Sequence, residues 1–188
     1  MNLIPEKKLD TEDYYGFIAP RPTVCVSTID DEGNPNLAPY SFVTPVAFDP
    51  PLLAISSGYE KNTLQNARNT KEFVIVPLTK NWMEKGVKTE VSLPREKSEF
   101  EAVGLTEKEA YKVAPYHVAE APVNIECEYW DECSGEDHSL LIGKVIHISA
   151  KDEAIKNGRL NLEEFGSVCH IVGEEFSVVD SMKKIERD

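Results

Sequence analysis

Basic residues are scarce in this chain of 188 residues. It has 20 lysines and arginines against 33 aspartates and glutamates, which gives a formal net charge of −13 at pH 7. Nucleic-acid backbones and anionic membrane surfaces bind proteins through clustered positive charge, and this composition opposes such binding. We therefore expect no nucleic acid and no membrane as a partner.

Long apolar runs are also missing. No stretch approaches the roughly 18 apolar residues that a membrane-spanning helix needs. The opening residues 1–8 lack the apolar centre of a secretory signal peptide. Both absences predict a soluble, cytoplasmic protein.

Cysteine is limited to Cys25, Cys127, Cys133 and Cys169, and no two of them have the C-x-x-C spacing. The usual zinc knuckles and dithiol redox centres need that spacing, so we expect no metal site. Cys25 lies between two valines in an apolar segment, which favours a small buried hydrophobe.

The residues that are present favour β-strands, and the length suits a single domain over residues 1–188. Residues 30–35 form a dense turn cluster between two β-rich segments, which predicts a hairpin. Asp49-Pro50-Pro51 breaks the second segment. The predicted strands of the first half are 23–29, 36–48, 52–56 and 73–78, with a weakly helical segment at 61–71.

The second half begins with a charged segment, residues 80–117, which we expect to form an insertion with helices at 82–85 and 106–111. Beyond it, Val123, Ile125, Cys127 and Tyr129 alternate with polar residues, which predicts a half-exposed strand. A further strand is predicted at 139–149. Gly143 within it indicates a bulge or a close backbone approach. A short helix or turn is predicted at 160–165.

Six short motifs occur in an order and spacing that we identify with a known family. They are Pro20-Arg21-Pro22, Gly33-x-x-Asn36-x-Ala38-Pro39-x-Ser41-Phe42, Asp49-Pro50-Pro51, Lys61-Asn62-Thr63-Leu64-x-Asn66, Phe100-x-x-x-Gly104-Leu105-Thr106 and His138-x-x-x-x-Gly143-x-Val145. Over nearly the whole chain the sequence resembles the flavin reductase-like family, including flavoredoxins and the reductase components that supply reduced flavin to monooxygenases. The resemblance implies a mainly β fold, namely an antiparallel, Greek-key-like split β-barrel that binds FMN.

The resemblance implies that Lys61, Asn62 and Thr63 hold the FMN phosphate. Asn62 or Thr63 could cap a helix whose first amide groups face an anion, and Lys61 would add a full positive charge. On spacing alone, the same three residues suit an ordinary capped helix with a solvated lysine better.

Other residues are implied to contact the rest of the cofactor. Ser41 and Thr44 would meet the pyrimidine edge and the ribityl chain, and Phe42 would pack either against the ring or in the core. Ser56 and Ser57 are further phosphate donors. The remaining residues implied to bind FMN are Asn36, Tyr40, Val43, His170 and Phe176.

His138 is the implied catalytic residue, close to the flavin and to an incoming nicotinamide, and its titration near neutrality suits that place. The alternative is an ordinary turn histidine.

Three positions depart from the family pattern: His170 replaces an arginine, Val172 replaces a glycine, and Glu99 stands where lysine is frequent. These changes bear on nicotinamide binding and on the partner surface more than on FMN binding.

Three functions remain open from the sequence. The first is an NAD(P)H-dependent flavin reductase, with NADH or NADPH as a transient donor. The second is a flavoredoxin-like electron carrier, whose acidic surface would suit a basic redox protein partner. The third is a non-redox barrel that holds another phosphate ligand. The resemblance also implies a homodimer.

Overall fold

Most of the secondary structure is β, in a computed structural model that describes residues 7–186. The strands are β1 (Arg21–Pro22), β2 (Val24–Ile29), β3 (Pro35–Tyr40), β4 (Val43–Phe48), β5 (Pro51–Gly58), β6 (Glu72–Pro77), β7 (Glu107–Lys108), β8 (His117–Val118), β9 (Val123–Ser134), β10 (His138–Ala150), β11 (Ile155–Lys156), β12 (Arg159–Leu160), β13 (Ser167–Val172) and β14 (Glu175–Val179). The helices are α1 (Tyr14–Phe17), α2 (Asn62–Thr70), α3 (Met83–Lys88), α4 (Glu99–Val103) and α5 (Leu162–Phe165). Within residues 7–186, none of these helices is long and apolar enough to cross a membrane.

Seven strands of the described chain form one sheet in the order β3-β2-β6-β9-β10-β5-β4, and every pairing in it is antiparallel. β3 and β4 lie at opposite edges of this sheet, yet only Ser41 and Phe42 connect them. Two residues cannot span a flat sheet of seven strands, which are about 4.8 Å apart. The sheet must therefore curl until its two edges meet.

The core lies on both faces of the central strands. In β2, Val24 and Val26 pack into one apolar cluster while Cys25 packs into the other. In β6, Phe73 and Ile75 likewise separate from Val74 and Val76. This division follows the two-residue repeat of a strand that is covered on both sides.

Cys25 is a buried core residue, as the alternating pattern predicted. It has 0% relative exposure, and burial raises the pKa of its thiol to about 12. A thiol in such a site stays protonated and unreactive at neutral pH.

The predicted single strand at 36–48 is wrong in one respect, because the chain bends at Ser41 and Phe42 and forms two strands there. The bend is held by the amide of Ser56, which donates to the carbonyl oxygen of Phe42 at 2.9 Å. A local pattern of apolar and hydroxyl residues does not reveal this corner, because the hydrogen bond that fixes it comes from β5.

The helix predicted at 106–111 is also wrong. Residues Glu107–Lys108 form the short strand β7 and pair with β8. The helix of this region is α4 instead, where Phe100 is buried in the core with 1% exposure. Gly104 ends that helix in the left-handed conformation, with φ of 68°.

The prediction of a half-exposed strand at 123–129 is wrong at two polar positions, since Asn124 and Glu126 are both buried. Glu126 accepts hydrogen bonds from the amides of Tyr111 and Lys112, at 3.1 and 2.7 Å, and from Nε2 of His117 at 2.9 Å. Burial alone would raise the pKa of Glu126, but these hydrogen bonds together lower it. The insertion thus covers a face of β9 that the pattern assigned to solvent.

Gly143 marks both a bulge and a close approach. The ladder between β9 and β10 shifts register between Ile142 and Gly143. A Cβ atom added at Gly143 would lie 2.2 Å from Cζ of Phe73, which is fully buried. The predicted reason for this glycine is confirmed.

We expect Gly143→Ala to lower the free energy of unfolding by about 1 to 3 kcal/mol, because the rigid ring of Phe73 must move in a packed core. Urea denaturation measures this change. Gly16→Ala is the matched control, because a Cβ there meets nothing within 4 Å. Equal stability of Gly143→Ala and the wild type would contradict the packing described for this position.

Candidate functional site

Helix α2 begins without a capping side chain. Its N-cap residue is Lys61, and no side-chain cap hydrogen bond is formed by the described residues. The prediction that Asn62 or Thr63 caps this helix is therefore wrong. The first-turn amides are left without a side-chain acceptor, and the positive end of the helix dipole remains open to an anion.

Thr63 is buried and holds the start of α2 against the sheet. Its Oγ1 accepts from Nδ2 of Asn36 at 3.0 Å, and the same nitrogen lies 3.2 Å from Oγ1 of Thr28. Asn66, one turn further along α2, donates to Thr28 at 3.2 Å. These hydrogen bonds tie β2, β3 and α2 together, so the position of the helix start is fixed.

Tyr40 makes a second link, between the end of β3 and β5. Its hydroxyl group lies 3.1 Å from Oγ of Ser57, which is 1% exposed. Burial raises the pKa of Tyr40, and hydrogen bonds with Ser57 and Thr63 partly offset that effect. Tyr40 is thus a neutral hydroxyl group at neutral pH.

Three grooves follow the chain from β3 through the corner. The first, here called the helix groove, has a volume of about 380 Å³ and lies beside the start of α2. It brings together five of the residues predicted to bind FMN: Asn36, Tyr40, Lys61, Asn62 and Thr63.

The second groove, here called the corner groove, measures about 320 Å³. Four predicted residues line it, namely Tyr40, Ser41, His170 and Phe176. It shares Pro39, Tyr40 and Glu90 with the helix groove, so the two adjoin. Ser41 and Phe176 are far apart in sequence. His170 links them, because its Nδ1 lies 3.1 Å from Oγ of Ser41 and it pairs with Phe176 between β13 and β14.

The third groove, here called the histidine groove, measures about 420 Å³ and contains Phe42, Ser56 and His138. Nδ1 of His138 lies 3.0 Å from Oδ1 of Asp137, and both side chains are largely in solvent. When Nδ1 donates to this carboxylate, Nε2 is left as the ring nitrogen that can accept a proton. Since Phe42 follows Ser41, the corner groove and the histidine groove lie on either side of one peptide unit.

Three predicted residues line none of these grooves in the described part of the chain. Ser57 lies beneath Tyr40. Val43 packs against the core cluster of β5 and α2, and the exposed Thr44 donates its hydroxyl group to the carbonyl oxygen of Pro45 at 3.2 Å. Their roles in FMN binding stay predictions.

Sequence reasoning missed a buried arginine next to the corner groove. Arg21 is 7% exposed, and its guanidinium group stacks over Phe42 and over Tyr15 at 5.6 and 5.7 Å from the ring centres. It donates to the carbonyl oxygens of Tyr15 and Ile171 and to Nδ1 of His170. Its place in Pro20-Arg21-Pro22 was the only available signal, and that motif does not reveal contacts with residue 170.

Three carboxylates, Glu60, Glu90 and Glu99, line the helix groove. Sequence reasoning missed the first two and named Glu99 only as a departure from the family pattern. Glu99 accepts from the amide of Leu37 at 3.1 Å, and burial raises its pKa. This carboxylate covers the free edge of β3, which explains why an acidic residue stands there.

The comparisons with known proteins decide the family. Residues 17–164 match the model of the flavin reductase like domain. This chain belongs to that family. The family assignment confirms the resemblance and supports a flavin-related oxidoreductase role.

Individual relatives agree with the assignment. An uncharacterized protein of Aquifex aeolicus (strain VF5) is 31% identical over 180 residues, covering 90% of this chain and 92% of the relative. Nitrilotriacetate monooxygenase component B from Bacillus cereus is 27% identical, covers 98% of each chain and superposes with a TM-score of 0.86. A split barrel domain protein from Shewanella frigidimarina NCIMB 400 is 21% identical, covers 96% of this chain and 94% of its own, and has a TM-score of 0.85. The curled sheet of this flavin reductase-like protein is thus a split barrel, as predicted.

Proposed function

We propose that this protein binds FMN across the helix and corner grooves and acts as an NAD(P)H-dependent flavin reductase. The observation that carries the proposal is the continuity of the two grooves. An uncapped helix start with Lys61 lies at one end, and Ser41, His170 and Phe176 lie at the other. The family assignment supports the same cofactor.

The donors in these grooves fit a phosphate-bearing flavin. The free amides of the first turn of α2 and the ammonium group of Lys61 would hold the phosphate. The aromatic ring of Phe176, which lines the corner groove, would pack against a flat ring system. The combined volumes of the adjoining grooves match a ligand longer than a single phosphate or sugar.

Bound FMN would accept a hydride from a nicotinamide and pass its electrons onward, which is chemistry that belongs to the cofactor. The protein residues orient and shield it. Tyr40 and Asn36 hold the helix start and the corner at a fixed separation. His138 lines the histidine groove, where its Nε2 can hold a proton close to a second ligand.

The activity is tested by adding FMN to the purified protein and titrating it anaerobically with NADH and, separately, NADPH. We expect the absorbance of the bound oxidised flavin to fall with at least one of the two donors. If the flavin stays oxidised with both donors, this protein is not an NAD(P)H-dependent reductase.

An electron carrier of the flavoredoxin kind is the second candidate function. The net charge of −13 favours it, because an acidic surface guides a basic redox protein into contact. Reduction of the bound flavin by a reduced ferredoxin-type protein, without any reduction by NADH or NADPH, would select this function over the first.

The phosphate assignment predicts a difference between two flavins. Lys61→Ala should weaken FMN binding roughly tenfold, the effect of losing a charge-assisted hydrogen bond of about 1.5 kcal/mol. Riboflavin has no phosphate, so its affinity should stay unchanged. Flavin fluorescence quenching measures both dissociation constants. Lys71→Ala, at the C-cap of the same helix, is the matched control. Equal losses for FMN and riboflavin would contradict a phosphate at Lys61.

We also propose a homodimer that uses the edge strand β4. Phe48 on this strand is 97% exposed and Val46 is 48% exposed, which is unusual for an edge strand facing water.

Sedimentation at micromolar concentration should give a dimer. Phe48→Glu should shift the equilibrium towards monomer, because the carboxylate of the new side chain would be buried in the dimer interface. Ile155→Glu, on the separate hairpin of β11 and β12, is the control. A monomeric wild type would rule out this interface.

A further inference from the structure

A carboxylate, an imidazole and a hydroxyl group lie in line where the insertion covers β9 and β10. Glu126 accepts from Nε2 of His117 at 2.9 Å, and Nδ1 of His117 lies 3.5 Å from Oγ of Ser149. In the β9–β10 ladder Ser149 is opposite Asn124, two residues from Glu126, so both side chains lie on one face of the sheet. This order of groups is that of a serine nucleophile, its base and the group that orients the base.

The carboxylate at one end of this array is held in place. Glu126 is fully buried, and the amides of Tyr111 and Lys112 donate to it at 3.1 and 2.7 Å. Burial alone would raise the pKa of Glu126, but the hydrogen bonds from these amides and from His117 outweigh burial, so the group is ionised at neutral pH. An ionised carboxylate only accepts, and Nε2 of His117 therefore carries a hydrogen.

His117 offers its other ring nitrogen as an acceptor. The side chain is fully buried, and burial lowers the pKa of His117 although Glu126 opposes this shift. A neutral imidazole has one hydrogen, which here lies on Nε2, so Nδ1 can only accept. Within residues 7–186, Ser149 is the one hydrogen-bond partner of Nδ1. The contact is long, as contacts between a nucleophile and its base often are before a substrate binds.

Ser149 lines a cavity of about 300 Å³, here called the serine cavity, which shares no residue with the helix, corner and histidine grooves. Its lining includes two cations, Lys108 and Lys151, and a row of small apolar side chains: Val118, Ala119, Ala121 and Pro122. Cations beside a nucleophile stabilise the negative charge that develops on a carbonyl oxygen under attack. The apolar row suits the hydrocarbon part of a small acyl group.

We propose that Ser149 is the nucleophile of a second active site, which hydrolyses esters of short carboxylic acids, with His117 as its general base and Glu126 as the positioning residue. The inference goes beyond the proposed function and does not rest on it, because the serine cavity and the flavin grooves are separate.

The reaction has two steps and needs only water as a second reactant. First, Oγ of Ser149 bonds to the carbonyl carbon of the ester, its proton passes to Nδ1 of His117, and the alcohol leaves with that proton. Next, water attacks the acyl group on Ser149, Nδ1 takes a proton from this water and returns it to Oγ, and the acid is released. No electron is transferred to or from the protein.

The first experiment measures the release of nitrophenol from para-nitrophenyl acetate and para-nitrophenyl butyrate by the flavin-free protein. The wild type should release several equivalents per protein chain, because acylation of surface lysines would stop after the lysines are consumed. Ser149→Ala should reduce the rate to that of buffer alone. Equal rates in the wild type and in Ser149→Ala would overturn the proposal.

Ser134→Ala is the matched control. Ser134 is an exposed serine on β9 and lines neither the serine cavity nor the three grooves. This variant should hydrolyse both esters at the wild-type rate. FMN affinity should be the same in the wild type, in Ser149→Ala and in Ser134→Ala.

The base and the positioning residue have different kinetic signatures. His117→Gln should lower kcat roughly 100-fold, the usual contribution of a general base. Glu126→Gln should lower kcat with little change in KM, because Glu126 does not line the serine cavity. Circular dichroism checks that both variants fold. A folded His117→Gln with the wild-type kcat would exclude His117 as the base.

The second experiment uses only the wild type, so it does not depend on the folding of a variant. A fluorophosphonate probe forms a bond from phosphorus to an activated serine oxygen as fluoride leaves, and mass spectrometry of peptides locates the bond. We expect the label on Ser149 in the folded protein and its absence after denaturation in urea. A folded protein without label on Ser149 would overturn the proposal, whereas failure to bind FMN would leave it standing.

Discussion

The two-residue connection between β3 and β4 is the constraint on which the rest of the structure depends. Ser41 and Phe42 join opposite edges of a seven-stranded sheet in the described chain, so the sheet must close upon itself. The closure places Tyr40, Ser41 and Phe42 at the junction of three grooves. Two hydrogen bonds, from Asn36 to Thr63 and between Tyr40 and Ser57, then fix helix α2 and β5 against that corner.

Anion recognition in this acidic chain must be local. The open start of α2 and Lys61 supply positive potential over a few ångströms, which is the range over which a helix terminus acts. Glu60, Glu90 and Glu99 line the same groove and oppose it. The start of α2 is therefore the one place in this groove where the described side chains and amides favour an anion, which is why the proposed phosphate position is there.

The sequence predicted the elements whose causes are local. The turn cluster at 30–35 and the helix of 62–70 follow from residue types within a few positions. Gly143 was marked by its residue type alone, although the ring that it approaches, Phe73, is distant in sequence. Two of the predictions that failed concern places where a distant partner decides the structure. The corner at Ser41 depends on β5, and the burial of Glu126 depends on the insertion that covers it.

The members of the candidate site were predicted from the family resemblance. On spacing alone, Lys61, Asn62 and Thr63 suit an ordinary capped helix, and His170 and Phe176 lie far from them in sequence. Arg21 was missed as a site residue, since 149 positions separate it from its partner His170.

The most direct measurement is a crystal structure of this protein in complex with FMN. We expect the phosphate within hydrogen-bond distance of the amides of Asn62 and Thr63, and the pyrimidine edge against Ser41. Electron density for the flavin outside the helix and corner grooves would contradict the account. So would a flavin bound in the reverse orientation, with its ring at the start of α2 and its phosphate at Ser41.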